Sequence, residues 1–226
     1  MTSHAGVASE PTADNAAGRV ARSLRHLVLT GVLKPGSRLS QSQLAAEHGV
    51  SRIPVRDALQ VLAREGLVQL TPAHAVVRGI SMEELQELYE MREAIEPVVT
   101  RIAVPNVGRA EVTQMAELVE KMESEASAVG WIEANAQFHA LVYHRAHRPM
   151  MIEMTDQLRR LTDRYLHLHL SVIGNTEHLH QEHRAILDAV RRGDPGEVAE
   201  LTRHHLATSH QFILTYLLEH PLGLRG

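Results

Sequence analysis

Apolar side chains recur at intervals of three and four residues over most of the chain, which is the spacing of amphipathic α-helices. Within the first eighty residues this pattern predicts three helices, at residues 18–31, 40–49 and 52–65. Two short apolar runs follow, and they predict strands at residues 67–70 and 75–78 with a turn between them. Three helices and a hairpin in this order indicate a winged helix-turn-helix fold.

The strand pattern stops after residue 80, and helical periodicity continues towards the C-terminal end. Glycine and proline interrupt it at short intervals, which predicts six helices at residues 82–104, 109–128, 131–147, 149–174, 176–192 and 195–219. Helices with such short connections favour an antiparallel bundle. We therefore predict a mainly α protein with a flexible N-terminus at residues 1–15, a winged helix-turn-helix domain at 16–80 and an all-α domain at 81–226.

The composition supports a folded chain and limits its chemistry. Of its 226 residues 44% are hydrophobic, 3% are aromatic and none is cysteine, so the chain cannot form a disulfide or a thiolate metal site. No apolar run approaches the ~20 residues of a membrane span. The first fifteen residues also lack the basic start and apolar stretch of a signal peptide. We expect a cytoplasmic protein with no membrane partner.

Charge is distributed unevenly beneath a net value of −4. Residues 19–80 carry nine lysines and arginines against three acids, whereas residues 81–226 carry fourteen against twenty-two. A basic segment joined to a larger acidic one indicates that the first part meets a polyanion.

The third predicted helix presents two arginines one turn apart. Arg52 and Arg56 are at positions i and i+4, so they project from one face, and apolar residues occupy the other. Gly49 can end the preceding helix and Ser51 can cap this one. Arginines held beside a helix N-terminus suit phosphates and guanine edges. A solvated surface helix is the alternative interpretation.

This part of the chain resembles the DNA-binding domain of the GntR family of bacterial transcription regulators. The resemblance spans residues 19–78 and implies that Arg52 and Arg56 enter the major groove while the wing tip approaches the minor groove. It rests on four motifs, Gly31-x-Leu33-x-Pro35-Gly36-x-x-Leu39, Leu44-Ala45, Gly49-Val50-Ser51-Arg52-x-Pro54-Val55-Arg56-x-Ala58-Leu59 and Leu62-x-x-Glu65-Gly66-Leu67-Val68.

Two positions differ from the family pattern. Ser42, in the helix before the arginines, stands where some relatives have a basic DNA contact. His74 stands where the wing usually has glycine, and it either contacts phosphate or covers the turn. The candidate DNA-binding residues are therefore Arg52, Arg56, Ser51, Ser42 and His74.

The apolar stripes predict which side of each bundle helix faces the core. In the helix that begins at Pro149 the predicted stripe is Met154, Leu158, Leu161, Tyr165 and Leu168. In the last helix it is Val198, Leu201, His205, Thr208 and Phe212.

Several polar residues share these inner stripes. Asn135 and His139 lie one turn apart on the helix at 131–147, and the last two helices contribute His183 and His205. Burying such groups without partners would cost roughly 2 kcal/mol or more each. A divalent metal bound by imidazole nitrogens would supply partners, and hydrogen-bonded core histidines are the alternative.

Residues 82–219 resemble the FCD effector domain of the FadR-like subgroup of the same family. In that domain one helix carries Asp-x-x-x-His and two later helices carry one histidine each. The matching segments are Asn135-Ala136-Gln137-Phe138-His139, Glu182-His183-Arg184-Ala185-Ile186-Leu187 and His205-Leu206, with asparagine in place of the aspartate. The resemblance implies Asn135, His139, His183 and His205 as ligands of a divalent ion, zinc first, with nickel or manganese as alternatives.

Arg92 lies within an apolar stripe of the first bundle helix. A guanidinium in that position needs an anionic partner. One interpretation is an i,i+4 pair with Glu96, and the other is that Arg92 binds the carboxylate of a small effector beside the metal.

These observations favour a homodimeric transcription regulator, and not an enzyme, that binds operator DNA and senses a small organic acid. A metal-dependent hydrolase using three histidines and a metal-bound water is one alternative. It leaves the basic N-terminal segment unexplained, and no general base stands out. A repressor for which the metal itself is the signal is another.

Overall fold

The computed structural model describes residues 16–72, 74–79, 81–168, 170 and 177–219, so the segment 1–15 that we predicted to be flexible lies outside the described residues. The chain divides into two compact units. The first contains residues up to Ala63 together with Val68–Val77, and the second contains Arg64–Leu67 and everything from Arg78 onward.

In its described part the first unit contains three helices and a small antiparallel sheet. The helices are α1 (Ala16–Leu29), α2 (Gln41–His48) and α3 (Arg52–Arg64). The strands are β1 (Arg38–Leu39), β2 (Val68–Leu70) and β3 (Ala75–Val77) in the order β1-β3-β2. The hairpin was predicted, but β1 was not. This strand is only two residues long, which is too short to show an alternating pattern.

Local signals define the helix-turn-helix. Ser40 caps α2 by accepting a hydrogen bond from the amide of Gln43, and Gly49 ends the helix with a φ of 62°. The buried face of α3 then packs into the core of the unit, and it consists of Val55, Ala58, Leu59 and Leu62.

Within the described residues the second unit contains six α-helices, the number predicted. They are α4 (Met82–Ala103), α5 (Arg109–Ser124), α6 (Ala128–Tyr143), α7 (Pro149–Leu168), α8 (Glu177–Arg192) and α9 (Pro195–Glu219). Short 3-10 turns follow α4 and α6. The prediction of a mainly α protein with an N-terminal winged helix-turn-helix is confirmed. In the part of the chain that the structure describes, no helix is long and apolar enough to cross a bilayer.

Two apolar clusters form the interior of the helical unit. One joins residues of α4, α5, α6, α8 and the start of α9 around Met115, Trp131 and Phe138. The other joins α4, α7 and α9 around Tyr89 and Tyr165. Both α4 and α9 contribute to the two clusters and so connect them.

Three details of the bundle differ from the prediction. Gly130 does not separate α5 from α6, because Ser127 caps α6 and Gly130 lies in its first turn, where its amide donates to the Ser127 hydroxyl. Phe212 and Met154 are exposed rather than inward. The inner faces of α7 and α9 contain polar residues that the apolar pattern overlooks, including Thr155, Thr162, Thr202 and Ser209.

Candidate functional sites

The arginine pair of α3 lies on the surface of the first unit. Arg52 and Arg56 are both exposed, on the side of the helix opposite its buried apolar face. Arg56 lies 3.3 Å from Asp57, in a pair that is about half exposed on both sides. Such a pair contributes little to stability in water, so the guanidinium remains available to another anion.

The other three candidate DNA-binding residues also lie on the first unit. Ser51 is exposed and directly precedes α3. Ser42 is exposed, with its hydroxyl 3.0 Å from the hydroxyl of Ser40. His74 is half-buried, and its backbone amide and carbonyl are both hydrogen-bonded to Thr71 in the hairpin turn. Their roles in DNA binding stay predictions.

Three histidines converge inside the helical unit. His139 comes from α6, His183 from α8 and His205 from α9, and all three are buried. One ring nitrogen from each lies within 4.8 Å of the others. Their ring centroids are 4.7 to 5.4 Å apart. The sequence prediction that these side chains share one place is therefore confirmed, and their role as metal ligands stays a prediction.

Burial keeps these imidazoles neutral. It lowers the pKa of His139 and of His183 well below the usual range, and it lowers the pKa of His205 to about 3. The charges of Arg92 and Arg159 act in the same direction on His205. A neutral ring has one protonated nitrogen and one lone pair, so each histidine can offer a metal one nitrogen.

Groups around the cluster determine which nitrogen carries the proton. The Nδ1 atom of His183 lies 2.6 Å from the carbonyl of Leu179, and that of His205 lies 2.6 Å from the carboxylate of Glu182. We assign the proton of each ring to Nδ1, because both neighbours can only accept it. Metal-binding histidines are commonly oriented by such acceptors.

The third ring follows the same arrangement. The hydroxyl of Tyr143 donates to Glu96 at 2.6 Å, and its oxygen lies 3.4 Å from Nδ1 of His139. Nε2 of His139 is buried and has no hydrogen-bond partner among the described residues. The three assigned tautomers therefore leave an Nε2 lone pair on each ring.

Asn135 completes the candidate donor set. Its Oδ1 atom is 2.8 Å from Nε2 of His183. With the ring proton on Nδ1, both of these atoms are acceptors. A cation would satisfy both lone pairs at once, and otherwise the amide must turn to present its NH₂ group. The residues present thus fit a divalent ion bound by three nitrogens and one oxygen.

A buried group of charges lies beside the histidines. Arg92 donates to Glu96 at 2.6 Å and to the hydroxyl of Thr162 at 3.1 Å. The structure therefore shows the i,i+4 pair, which was one of the two interpretations of Arg92. Burial alone would raise the pKa of Glu96, but the charges of Arg92 and Arg159 outweigh it and hold that pKa below its usual value.

Arg159, on α7, is a second buried cation that the sequence analysis missed. Its Nη2 donates to the backbone carbonyl of Asn135 at 3.4 Å, and its Nη1 is 3.8 Å from the carboxylate of Glu96. Nη1 makes no hydrogen bond within the described chain. The only available signal was its spacing from Thr155 and Thr162, which places three polar residues on one side of α7.

Two buried guanidiniums thus share one buried carboxylate. The two guanidiniums exceed Glu96 by one positive charge, and Glu182 beside His205 is the other carboxylate at the cluster. A bound divalent ion would make the local charge positive. Such a site attracts an anion, and guanidinium groups match the geometry of a carboxylate.

Both units match known protein families. Residues 16–77 match the family described as "Bacterial regulatory proteins, gntR family", and residues 87–208 match the "FCD domain".

Related proteins have regulatory names. The chain is 33% identical over 145 residues to the HTH-type transcriptional regulator McbR of Escherichia coli (strain K12); the alignment covers 62% of this chain and 65% of McbR, just under two thirds of its length. It is 29% identical over 174 residues to the gluconate operon transcriptional repressor of Bacillus licheniformis, covering 75% and 70% respectively. The solved structure of E. coli McbR/YncC has a TM-score of 0.71 at 28% identity, over 92% of this chain and 99% of that one.

Proposed function

Since the chain belongs to the gntR family of bacterial regulatory proteins and carries an FCD domain, we propose that it is a homodimeric, cytoplasmic regulator whose operator affinity responds to a small carboxylate. In this proposal residues 16–80 bind DNA, and residues 81–226 bind the effector and a second copy of the chain.

DNA recognition is assigned to α3. Arg52 and Arg56 are exposed on one face of a helix that is anchored by its opposite face, so they can enter the major groove together. Arginine forms paired hydrogen bonds to guanine O6 and N7 and thereby distinguishes bases. Ser42 and Ser51 suit backbone contacts, and His74 places an imidazole at the wing turn.

The proposed metal ligands are Nε2 of His139, His183 and His205 together with Oδ1 of Asn135. A bound zinc, nickel or manganese ion would supply a fixed positive charge and open coordination positions for an oxygen ligand. The protein holds the rings through Leu179, Glu182 and Tyr143, and the assigned tautomers leave one Nε2 lone pair on each ring for the ion.

The effector proposal rests mainly on one observation: Nη1 of buried Arg159 forms no hydrogen bond with any described residue. A carboxylate at this place would give Nη1 a hydrogen bond and would compensate the second guanidinium of the site. Arg92 is committed to Glu96 and Thr162 in this structure, so Arg159 is the first contact and Arg92 the second. An effector changes DNA affinity only if it binds one arrangement of the protein better than another.

The regulator explains more of the chain than the hydrolase alternative. The relatives named above are transcriptional regulators. The two carboxylates described at the histidine cluster are Glu96, paired with Arg92, and Glu182, paired with His205. Both are therefore occupied, and neither is placed to act as a general base.

Specific DNA binding is tested at α3. Arg56→Ala should lower the ratio of operator affinity to scrambled-duplex affinity by at least about fivefold, because one bidentate base contact is lost. Fluorescence anisotropy at fixed salt measures both affinities, and circular dichroism checks the helical content. An unchanged ratio would remove α3 from sequence recognition.

Effector binding is tested with zinc-loaded protein against citrate, lactate, gluconate and uncharged sugars. We expect one or more carboxylates to raise the melting temperature and to change operator affinity. Arg159→Gln should abolish both effects, whereas Arg160→Gln, an exposed neighbour on the same helix, should preserve them. Chelation of the metal without any carboxylate separates the metal-sensing alternative, since only a metal sensor would then change its DNA binding.

A further inference from the structure

The outward face of α4 carries an apolar stripe. Met91, Ala94 and Val98 follow one another at spacings of three and four residues and are exposed, Met91 by 37% and Val98 by 47%. The opposite face of the same helix is buried and contributes Arg92 and Glu96 to the charged group. An exposed apolar stripe on a helix that is already packed on its other side is a candidate contact surface.

Charges of opposite sign lie at the two ends of this stripe. Glu87 is seven residues before Ala94 and Arg101 is seven residues after it, and both are exposed. Among the described residues neither side chain forms a hydrogen bond or a close ion pair, although the charge of Arg101 helps to lower the pKa of Glu200 on α9. Seven residues are two helical turns, or about 10 Å along the axis. The two charges are therefore placed symmetrically about Ala94.

We infer that this face of α4 binds the same face of a second copy, antiparallel, with the two-fold axis at Ala94. An interface with two-fold symmetry must be complementary to itself. Antiparallel pairing places Glu87 opposite the partner's Arg101 at both ends and brings Met91, Ala94 and Val98 together between them, with the exposed Glu90, which accepts a hydrogen bond from Gln86, at the margin of the contact. The small side chain of Ala94 allows the two helices to approach closely at the axis. The inference rests on the proposed homodimer and names its surface.

Charge also selects this orientation over a parallel one. A parallel pair would place Glu87 against the partner's Glu87 and Arg101 against the partner's Arg101. Like charges in direct opposition are strongly unfavourable at an interface. The pattern therefore identifies a copy of this chain, rather than a uniformly acidic or basic partner, as the occupant that fits.

The same helix then serves two sites. Its outer face forms the dimer contact, and its inner face supplies the Arg92–Glu96 pair of the proposed effector site. A change in the packing of α4 on effector binding would therefore reach the dimer contact without an intermediate element.

The stripe is tested by placing a charge on one of its apolar residues. Val98→Asp should raise the dissociation constant of the dimer by about 30-fold or more, the scale of an energetically important interface residue. Met150→Asp is the matched control, because Met150 is an exposed methionine, 85% accessible, at the start of α7. Sedimentation equilibrium over a range of concentrations measures both constants.

The orientation is tested by exchanging the terminal charges. Glu87→Arg and Arg101→Glu should each weaken the dimer by about fivefold or more, because each places like charges in opposition. The double variant restores opposite charges and should return to within about threefold of the wild type. Both positions are exposed, so these variants keep the test available if Val98→Asp fails to fold.

The outcomes separate this inference from the proposed function. Three outcomes would each overturn the α4 contact. The wild type could be monomeric, or Val98→Asp could leave the dimer intact. The effects of Glu87→Arg and Arg101→Glu on dimer dissociation could also add in the double variant instead of cancelling. In all three cases the zinc and carboxylate titrations still report on the effector site. If the dimer depends on α4 but no carboxylate binds, only the effector proposal is overturned.

Discussion

At the residue scale, the helical unit depends on one carboxylate. Glu96 is fully buried and accepts hydrogen bonds from Arg92 and Tyr143, while Arg159 lies 3.8 Å away. A buried charge is tolerated only when it is paired, and removal of one partner leaves the others uncompensated. Arg92 and Arg159 therefore depend on Glu96 for compensation of their buried charges.

We expect Glu96→Gln to lower the free energy of unfolding by about 3 kcal/mol, because it leaves two buried guanidiniums without an anion. Glu123→Gln is the control, since Glu123 pairs with Arg184 at the surface and should cost less than about 1 kcal/mol. Urea titration measures both changes. Equal costs for the two variants would show that the buried pair is not a structural requirement.

Asn135 provides a second prediction at this scale. Asparagine offers a metal a neutral oxygen, and Asn135→Asp would replace it with a charged one in the same place. We expect zinc affinity to rise by on the order of tenfold, the scale of single changes around metal sites, and Asn135→Leu to reduce it. Competition with a chromogenic chelator measures the zinc affinity. Equal affinities for the wild type, Asn135→Asp and Asn135→Leu would place Asn135 outside the coordination sphere.

Some of these residues could be predicted from the sequence and others could not. Asn135, His139, His183 and His205 lie on clear helical stripes, so their convergence followed from spacing. Arg159 did not stand out, because its inner stripe on α7 is polar and apolar periodicity cannot reveal it. Which nitrogen of each ring is protonated depends on contacts such as Glu182 with His205, and sequence spacing alone does not specify these.

At the element scale, the connection between α2 and α3 depends on Gly49. Its φ of 62° is a left-handed conformation that residues with a Cβ atom adopt at a cost. Apart from the adjoining residues, no atom of the described chain lies within 4 Å of the position where a Cβ would be, so backbone strain is the main cost of substitution. A substitution at Gly49 therefore measures the cost of the backbone conformation without a steric clash.

We therefore expect Gly49→Ala to destabilise the protein by about 1 kcal/mol. Gly49→Asn should cost less, because asparagine enters the left-handed region more readily than alanine. Thermal unfolding followed by circular dichroism measures both. A larger cost for asparagine than for alanine would show that side-chain contacts, and not φ, govern this position.

Helices were easier to predict than the details of their packing. The boundaries of α2, α3, α8 and α9 follow from caps, glycines and prolines, which act locally. The start of α6 was misplaced because Gly130 was interpreted as a break, whereas Ser127 provides the cap three residues earlier. The inner face of α9 was also wrong at Phe212, because Thr202 and Ser209 take part of the buried surface.

At the scale of the whole molecule, the proposal joins a DNA-binding unit to a sensing unit that dimerises. Each copy carries one α3 helix with Arg52 and Arg56, so a dimer presents two α3 helices to the same duplex. Linking two binding elements raises affinity through effective concentration, by 10²–10⁴-fold when the geometry allows both to engage. Operator affinity should therefore depend on α4, although α4 carries none of the proposed DNA-binding residues.

We expect wild-type protein to bind a duplex with two half-sites about a hundredfold more tightly than a duplex with one. Val98→Asp should bind the two duplexes with nearly equal affinity, since each half-site is then read by a separate copy, and Met150→Asp should retain the wild-type preference. Fluorescence anisotropy at fixed salt, at protein concentrations below the dissociation constant of the Val98→Asp dimer, measures the ratio. If Val98→Asp is monomeric in solution yet keeps the preference, the two copies must be joined on DNA by another surface.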